Sequence, residues 1–166
     1  DATPLPALQH RLEDTRPGDV VEFSSPAQAI AATIGAKIKA RGGMALIVDY
    51  GDWRSLGDTF QALQAHEPVD PFADPGAADL TAHVDFEALA RATPTAHSRL
   101  TPQGVLLERL GITQRAQALA KRLSGDTLSQ HIAAHRRLTH PQEMGTLFKA
   151  MALYPEGAAP PPGFEA

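Results

Sequence analysis

The sequence contains no cysteine, which excludes a disulfide framework and a thiolate metal site. No apolar run approaches the roughly 20 residues that a membrane-spanning helix requires. The net charge of −4 offers no basic field for nucleic acid, so no nucleic-acid partner is expected. The N-terminal residues lack the basic start and the apolar stretch of a signal peptide. These absences fit a cytoplasmic, reducing compartment.

The 166 residues have the composition of a soluble globular domain, with 43% apolar and 20% charged residues. The polar segment 1–19 is interpreted as a connection that enters partway along a longer chain. Residues 20–154 are predicted to form the folded part, without an internal repeat. Residues 155–166 are rich in proline and are predicted to form an irregular tail.

A helix followed by an apolar strand is the clearest structural pattern. Ser25 suits the N-cap of the helix, because a proline follows it. Three isoleucines recur at helical spacing and predict one apolar face: Ile30, Ile34 and Ile38. The pair Gly42-Gly43 ends the helix, and residues 44–48 form a continuous apolar run that is typical of a strand covered on both faces. Helix, glycine and strand together predict part of a parallel α/β sheet.

The stretch from residue 49 to residue 80 is rich in glycine, proline and aspartate, which predicts a long functional loop. Asp85 suits the cap of the next helix. A weak strand is predicted over 95–100 and the last strand over 144–153. Further helices are predicted to begin at Thr101, Thr113 and Asp126.

Five segments, in order along the chain, resemble the motifs of one family. They are residues 45–51 (ALIVDYG), 57–62 (GDTFQA), 74–86 (DPGAADLTAHVDF), 101–104 (TPQG) and 144–149 (MGTLFK). Phe60 stands where the second motif usually has leucine. On these segments the chain resembles the MidA-like family, whose members are similar to S-adenosylmethionine-dependent methyltransferases.

The resemblance implies an α/β fold, namely the C-terminal half of a class I methyltransferase (Rossmann-like) sheet with added helices and an antiparallel last strand. It also implies S-adenosylmethionine as cofactor and a protein substrate, with arginine methylation of a respiratory complex I subunit and a mitochondrial location in eukaryotic relatives. The family's glycine-rich cofactor loop lies upstream of the five segments. Gly42-Gly43 does not replace that loop, because it precedes a strand and does not follow one. No cofactor-binding residue is therefore assigned, and this segment alone is expected to be inactive.

Carboxylates at the C-terminal ends of parallel strands are well placed to hold a cationic substrate. The catalytic candidates are Asp49, His83 and Asp85. The substrate-binding candidates are Tyr50, Asp58, Gln61, Asp79 and Gln103. Structural alternatives stay open: backbone bonding for Asp49, helix capping for Asp58 and Asp85, a buried hydrogen bond for His83, and an ordinary first-turn position for Gln103. No spacing matches a zinc or calcium site, so no metal is expected.

Two functions stay open at this point. The first is a methyltransferase that acts on a protein side chain, with arginine as the residue that the resemblance implies. The second is a non-catalytic assembly or interaction protein that keeps the same fold. A hydrolase is disfavoured, since the sequence has neither a Gly-x-Ser-x-Gly elbow nor a cysteine nucleophile.

Overall fold

A computed structural model describes residues 5–165 and has the mixed α/β class that the sequence predicts. The helices are a 3-10 helix at Pro6–Glu13, then α1 (Ser25–Arg41), α2 (Phe86–Arg91), α3 (Gln103–Arg109), α4 (Ile112–Ala120), α5 (Gly125–Thr139) and α6 (Met144–Leu147). The strands are β1 (Ala45–Asp52), β2 (Gln61–Gln64), β3 (Glu67–Val69), β4 (Asp79–Thr81), β5 (Val84–Asp85), β6 (Ala96–His97), β7 (Thr101–Pro102) and β8 (Phe148–Tyr154). None of the described helices is long and apolar enough to cross a bilayer.

The main sheet is mixed and has the order β5-β1-β8, with the short strands β6 and β7 on the far edge of β8. Strand β5 runs parallel to the last residues of β1, whereas β8 runs antiparallel along its first six residues. The predicted antiparallel last strand is therefore confirmed. It begins at Phe148, and not at Met144 as predicted, because residues 144–147 form α6. In this turn Gly145 lies against the end of α5, where a Cβ atom would come within 2.1 Å of the Thr139 carbonyl oxygen.

The core lies between α1, α2 and one face of the β1-β8 pair. It contains Ala31, Ile38, Phe86, Leu89, Ala90, Met151 and Leu153. The predicted isoleucine face is confirmed for Ile38, which is buried, and for Ile34, which packs against this core. It is wrong for Ile30, which is 62% exposed. The buried residues of α1 begin with Ala31. Because each residue of a helix is rotated by about 100° from the one before it, Ile30 points away from the buried side.

Strand β1 is covered on one face only. Ala45 and Ile47 pack against the core, but Leu46 and Val48 on the opposite face are 60% and 42% exposed. The expectation of a strand covered on both faces is therefore wrong for the described chain. In addition, the edge of Ala45–Tyr50 that faces away from β8 has no strand partner among residues 5–165. An apolar strand with one open face and one open edge is incomplete as a sheet.

The predicted long loop contains a small sheet of its own. Strands β3, β2 and β4 pair antiparallel in that order, and Ala62 at the centre is only 2% exposed. The expectation of a loop with little structure is therefore wrong. Asp58 precedes β2 and no helix begins there, so the helix-cap alternative for Asp58 is also wrong.

The helix termini follow the predictions with small shifts. Asp85 caps α2 as predicted, because its carboxylate accepts a hydrogen bond of 2.9 Å from the Ala88 N–H. The predicted caps at three other helices are wrong by one or two residues, since the observed N-caps are Ser24 before α1, Gly111 before α4 and Ser124 before α5. Ser25, Thr113 and Asp126 instead lie in the first turns of those helices.

The two terminal segments differ in structure. The segment interpreted as a connection contains the 3-10 helix, whose Arg11 is buried. The tail from residue 155 to residue 165 has neither helix nor strand, and the Arg99 N–H donates to the Glu165 carbonyl at 3.0 Å. Residues 1–4 and 166 of these two segments lie outside the described residues.

Candidate functional site

The rim at the C-terminal end of β1 brings two of the resemblance segments together. Gly51 and Asp52 pair in parallel with Val84 and Asp85. Gly51 has a φ of +152°, and a Cβ atom there would lie 2.2 Å from the Val84 carbonyl oxygen. Only glycine allows this approach. We call residues 49–55 and 83–87 together the rim. The rim contains all three catalytic candidates and Tyr50.

Asp49 is half-buried on β1, opposite Lys149 of β8. Its Oδ1 atom accepts a hydrogen bond of 2.8 Å from the Tyr50 N–H, which is the backbone bond that the structural alternative proposes. Its Oδ2 atom makes no hydrogen bond within residues 5–165. The Lys149 Nζ atom donates to the carbonyl oxygens of Gly51 at 3.2 Å and Thr146 at 2.8 Å, so Lys149 fixes the rim to the end of α6.

Tyr50 belongs to an aromatic cluster at the rim. Its ring centroid lies 5.8 Å from that of His83 and 5.5 Å from that of Phe148, the latter edge-to-face at 82°. Tyr50 and Phe148 also pair across β1 and β8, so the strand register holds the two rings together. The rim therefore presents a half-buried aromatic ring beside His83, on the face of β1 opposite to Asp49, because successive side chains of a strand point to opposite faces.

Thr59 fixes the backbone of His83. The Thr59 hydroxyl accepts a hydrogen bond of 2.8 Å from the His83 N–H and donates to Glu22. Glu22 also accepts from the Thr59 N–H at 3.0 Å. Glu22 is thus half-buried and bonded. The sequence alone did not identify this chain of bonds, which links three separate segments.

Arg11 binds the rim from the 3-10 helix. It is 2% exposed, and its guanidinium donates to Asp85 Oδ2 at 2.8 Å and to the Ser55 carbonyl at 3.1 Å. Since Asp85 Oδ1 accepts from the Ala88 N–H, both carboxylate oxygens of Asp85 are engaged. Burial raises the pKa of Asp85, against the opposing effects of the Ala88 N–H and of Arg11. These contacts favour the capping alternative for Asp85.

A second arginine extends this ionic network. Arg54 donates to both carboxylate oxygens of Glu87, at 2.6 and 2.9 Å, and this hydrogen bonding lowers the pKa of Glu87 although burial opposes it. His10 lies 3.5 Å from Glu87. Asp14 accepts from Arg11, which lowers the pKa of Asp14, and it lies 3.4 Å from Arg54. The network therefore joins the 3-10 helix to the rim through residues that the sequence did not single out.

Two clefts flank the rim, and His83 lines both. The first, of about 470 Å³, lies between the 3-10 helix, the start of α1 and the segment from Ala82 to Leu89. The second, of about 670 Å³, lies between Gly51–Leu56 and residues 141–149 around α6, where Lys149 contributes. In the part of the chain that the structure describes, no group of three or more histidine and acidic side chains is arranged to hold a metal ion.

The other predicted residues lie away from the Asp49 carboxylate or are already bonded. Asp58, Gln61 and Asp79 are exposed on or next to the small sheet. Gln103 is 9% exposed, and its amide donates to the Leu138 carbonyl at 2.9 Å. Gln103 therefore ties α3 to the end of α5, which fits its structural alternative.

The described residues do not fit a methyltransferase cofactor by themselves. Gly42 and Gly43 lie just before β1, at the end of the strand opposite to the rim. Gly51 lies at the rim, but the close approach of Val84 fills the space beside it, and no helix begins after Asp52 until α2. Within residues 5–165 no glycine-rich turn leads from a strand into a helix in the way that a nucleoside site requires.

Curated proteins and a family model match the chain. Residues 2–106 match the model described as "Putative S-adenosyl-L-methionine-dependent methyltransferase". The mitochondrial protein arginine methyltransferase NDUFAF7 of Xenopus laevis is 37% identical over 147 residues, which are 87% of this chain and 34% of that protein. The human NDUFAF7 is 35% identical over 158 residues, which are 93% of this chain and 35% of that protein. The chain thus spans about a third of the length of these relatives.

Solved structures agree with these matches. A COG1565 superfamily member from Burkholderia thailandensis, bound to S-adenosyl-homocysteine, superposes with a TM-score of 0.68 at 28% identity, covering 81% of this chain and 37% of that one. Another COG1565 superfamily protein from the same organism gives a TM-score of 0.74 over 98% of this chain and 46% of that one; at 24% identity it supports the fold alone. The chain therefore belongs to the MidA-like family of S-adenosyl-L-methionine-dependent methyltransferases.

Proposed function

We propose that the chain supplies the substrate-side rim and the C-terminal sheet of an S-adenosylmethionine-dependent protein methyltransferase that acts on arginine. The observation that carries the proposal is the similarity to a solved structure bound to S-adenosyl-homocysteine, the molecule that remains when S-adenosylmethionine has donated its methyl group. The names of the curated relatives support arginine as the acceptor. They favour an enzyme over a non-catalytic assembly protein.

The cofactor side belongs to polypeptide that completes the sheet. The exposed face of Leu46 and Val48 and the unpaired edge of β1 support this division, since burying them needs a further strand and helix. The relatives are about three times as long as the matched region, which leaves room for these elements. We therefore expect the 166-residue chain alone to show no saturable binding of S-adenosylmethionine in calorimetry at millimolar concentration. One-to-one binding would contradict this division.

The rim offers three groups for a cationic side chain that must lose a proton during methylation. The free Oδ2 atom of Asp49 binds and orients the guanidinium by a charge-assisted hydrogen bond. The Tyr50 ring lies next to His83 on the other face of β1 and supplies an aromatic wall there. The His83 imidazole, which faces Tyr50 and lines both clefts, accepts the proton.

The remaining candidates take supporting roles in this proposal. Asp85 orients the rim through its bonds to Arg11 and the start of α2. Asp58, Gln61 and Asp79 contact the substrate protein outside the methylated side chain, and Gln103 supports the end of α5. A complex I subunit as substrate and a cytoplasmic location also remain parts of the proposal; the curated relatives are described as mitochondrial.

The test is methyl transfer by a longer protein that contains this segment. Labelled S-adenosylmethionine is incubated with an arginine-rich acceptor protein, and the product is analysed by mass spectrometry. We expect methylarginine, and no label in a matched acceptor whose arginines are replaced by lysine. Cofactor binding without transfer to any acceptor would favour the assembly protein, and transfer to lysine would contradict the assigned substrate.

A further inference from the structure

The small sheet β3-β2-β4 carries apolar side chains that stay exposed around the buried Ala62. Ala62 pairs with both Leu80 and Val69, so these three side chains share one face of the sheet. Leu80 is 56% exposed on this face. The rings of Phe60 and Phe72, with centroids 5.8 Å apart, are 37% and 77% exposed. We call Phe60, Phe72 and Leu80 the meander patch.

The local backbone holds Phe72 outward. The Asp70 carboxylate accepts a hydrogen bond of 2.9 Å from the Phe72 N–H, and the Asp70 carbonyl accepts one of 3.2 Å from the Ala73 N–H. Phe72 therefore projects from an ordered turn. A large aromatic side chain in this position gains almost nothing from folding, because most of its surface stays in water. Exposed apolar groups that lie together are typical of interaction surfaces.

The charges around the meander patch indicate what kind of partner it binds. Residues 57–81 contain no lysine or arginine, whereas they contain five exposed carboxylates: Asp58, Glu67, Asp70, Asp74 and Asp79. None of the five forms an ion pair within the described residues. The rim carboxylates Asp85 and Glu87, in contrast, are bound by arginine. The small sheet thus has an unbalanced negative charge next to exposed aromatic rings.

We propose that the meander patch docks an extended, lysine- and arginine-rich segment of the substrate protein. Aliphatic stems and guanidinium groups of such a segment pack on the Phe60 and Phe72 rings, while its charges face the five carboxylates. This inference deepens the proposed function, on which it rests for the identity of the partner as substrate. Phe60 also lines the first cleft together with His83, so a segment docked on the small sheet lies next to the rim, where the one arginine is methylated.

The test measures docking without cofactor. A fluorescein-labelled peptide of alternating arginine and glycine is titrated with the 166-residue chain at low salt and followed by anisotropy, beside a matched peptide with glutamine for arginine. Phe72→Ser is expected to weaken binding about fivefold, the loss of one exposed cation–π contact. Asp74→Asn combined with Asp79→Asn is expected to weaken it by a similar factor and to reduce its salt dependence. The controls Ile132→Ser and Asp126→Asn, at exposed positions on α5, should leave binding unchanged.

Three results would overturn the proposal. In the first, Phe72→Ser and Ile132→Ser bind the peptide equally well. In the second, the chain self-associates through the patch, so that Phe72→Ser changes its mass in sedimentation without affecting the peptide. In the third, hydrogen exchange around Phe72 is already slow in a longer methyltransferase without peptide, because the rest of the domain covers the patch. If Phe72→Ser loses peptide binding but a longer protein with the same substitution still methylates, only this inference is rejected. If the chain binds the peptide but the longer protein transfers no methyl group, only the proposed function is rejected.

Discussion

Replacing Arg11 by methionine tests whether the 3-10 helix is held on the rim by a buried ion pair. Methionine keeps the length and the apolar stem of the side chain, so the change removes mainly the guanidinium. Arg11 is 2% exposed and the Asp85 side chain 12%, with 2.8 Å between Nη1 and Oδ2. Removing one member of a buried pair costs about 3–5 kcal/mol, because the other charge is left without a partner.

We expect a loss of free energy of unfolding at the lower end of that range, about 3 kcal/mol. Asp85 is not fully buried, and it keeps the hydrogen bond from the Ala88 N–H. The matched control is Arg136→Met, because Arg136 binds Glu143 at 2.9 Å but is 61% exposed. The control should have no measurable effect, since exposed pairs contribute little.

The assay is urea denaturation of the 166-residue chain, followed by circular dichroism, with Asp85→Asn included as a double-mutant cycle. The coupling between Arg11 and Asp85 should be about 2 kcal/mol, and the denaturant slope should not change. A coupling below about 0.5 kcal/mol, or equal losses in Arg11→Met and Arg136→Met, would refute the buried-pair reasoning.

Three further variants test other contacts. Glu87→Gln should weaken the loss of the free energy of unfolding that wild type shows at acid pH. A carboxyl whose folded pKa is lowered stabilises the fold above its unfolded pKa of about 4.3, and this contribution is lost as the pH falls through the folded pKa. Urea titrations of both proteins at about pH 5, 4 and 3 measure the difference. Gly51→Ala should lower the free energy of unfolding, measured in urea, by about 2 kcal/mol more than Gly57→Ala does. Both glycines have a positive φ, but only at Gly51 would a Cβ atom clash with backbone, namely that of Val84. Thr59→Val removes the hydroxyl that bonds both His83 and Glu22, and it should lower the free energy of unfolding by about 2 kcal/mol in thermal denaturation. The control Thr33→Val loses one exposed helix bond and should lower it by under about 0.5 kcal/mol.

The parts of the fold that follow local sequence rules were predictable. The α1-β1 unit is marked by isoleucine spacing and a glycine pair, and Asp85 caps α2 through a bond that spans three residues. Ile30 was mispredicted because helical spacing identifies a broad apolar stripe, whereas packing buries only the line that starts at Ala31. The small sheet was missed because its strands are three or four residues long and contain few β-branched residues.

The contacts that fix the site were not predictable from a single sequence. Arg11 and Asp85 are separated by 74 residues, and Thr59 and Glu22 by 37. Neither pair leaves a periodic signal, because each depends on how distant segments pack. The sequence did bring Asp49, Tyr50, His83 and Asp85 into consideration through the family motifs, and the pairing of β1 with β5 places all four at one rim. Their individual roles in catalysis stay predictions.

The most direct test of the central claim compares Asp49→Asn with wild type in a longer protein that contains this segment. Methyl transfer to an arginine-bearing protein and the dissociation constant of S-adenosylmethionine are measured for both, with Asp126→Asn as the exposed control. If the rim faces the substrate, Asp49→Asn lowers turnover about 100-fold and leaves cofactor affinity unchanged. Full turnover with reduced thermal stability, or a loss of cofactor affinity that equals the loss of turnover, would contradict the claim.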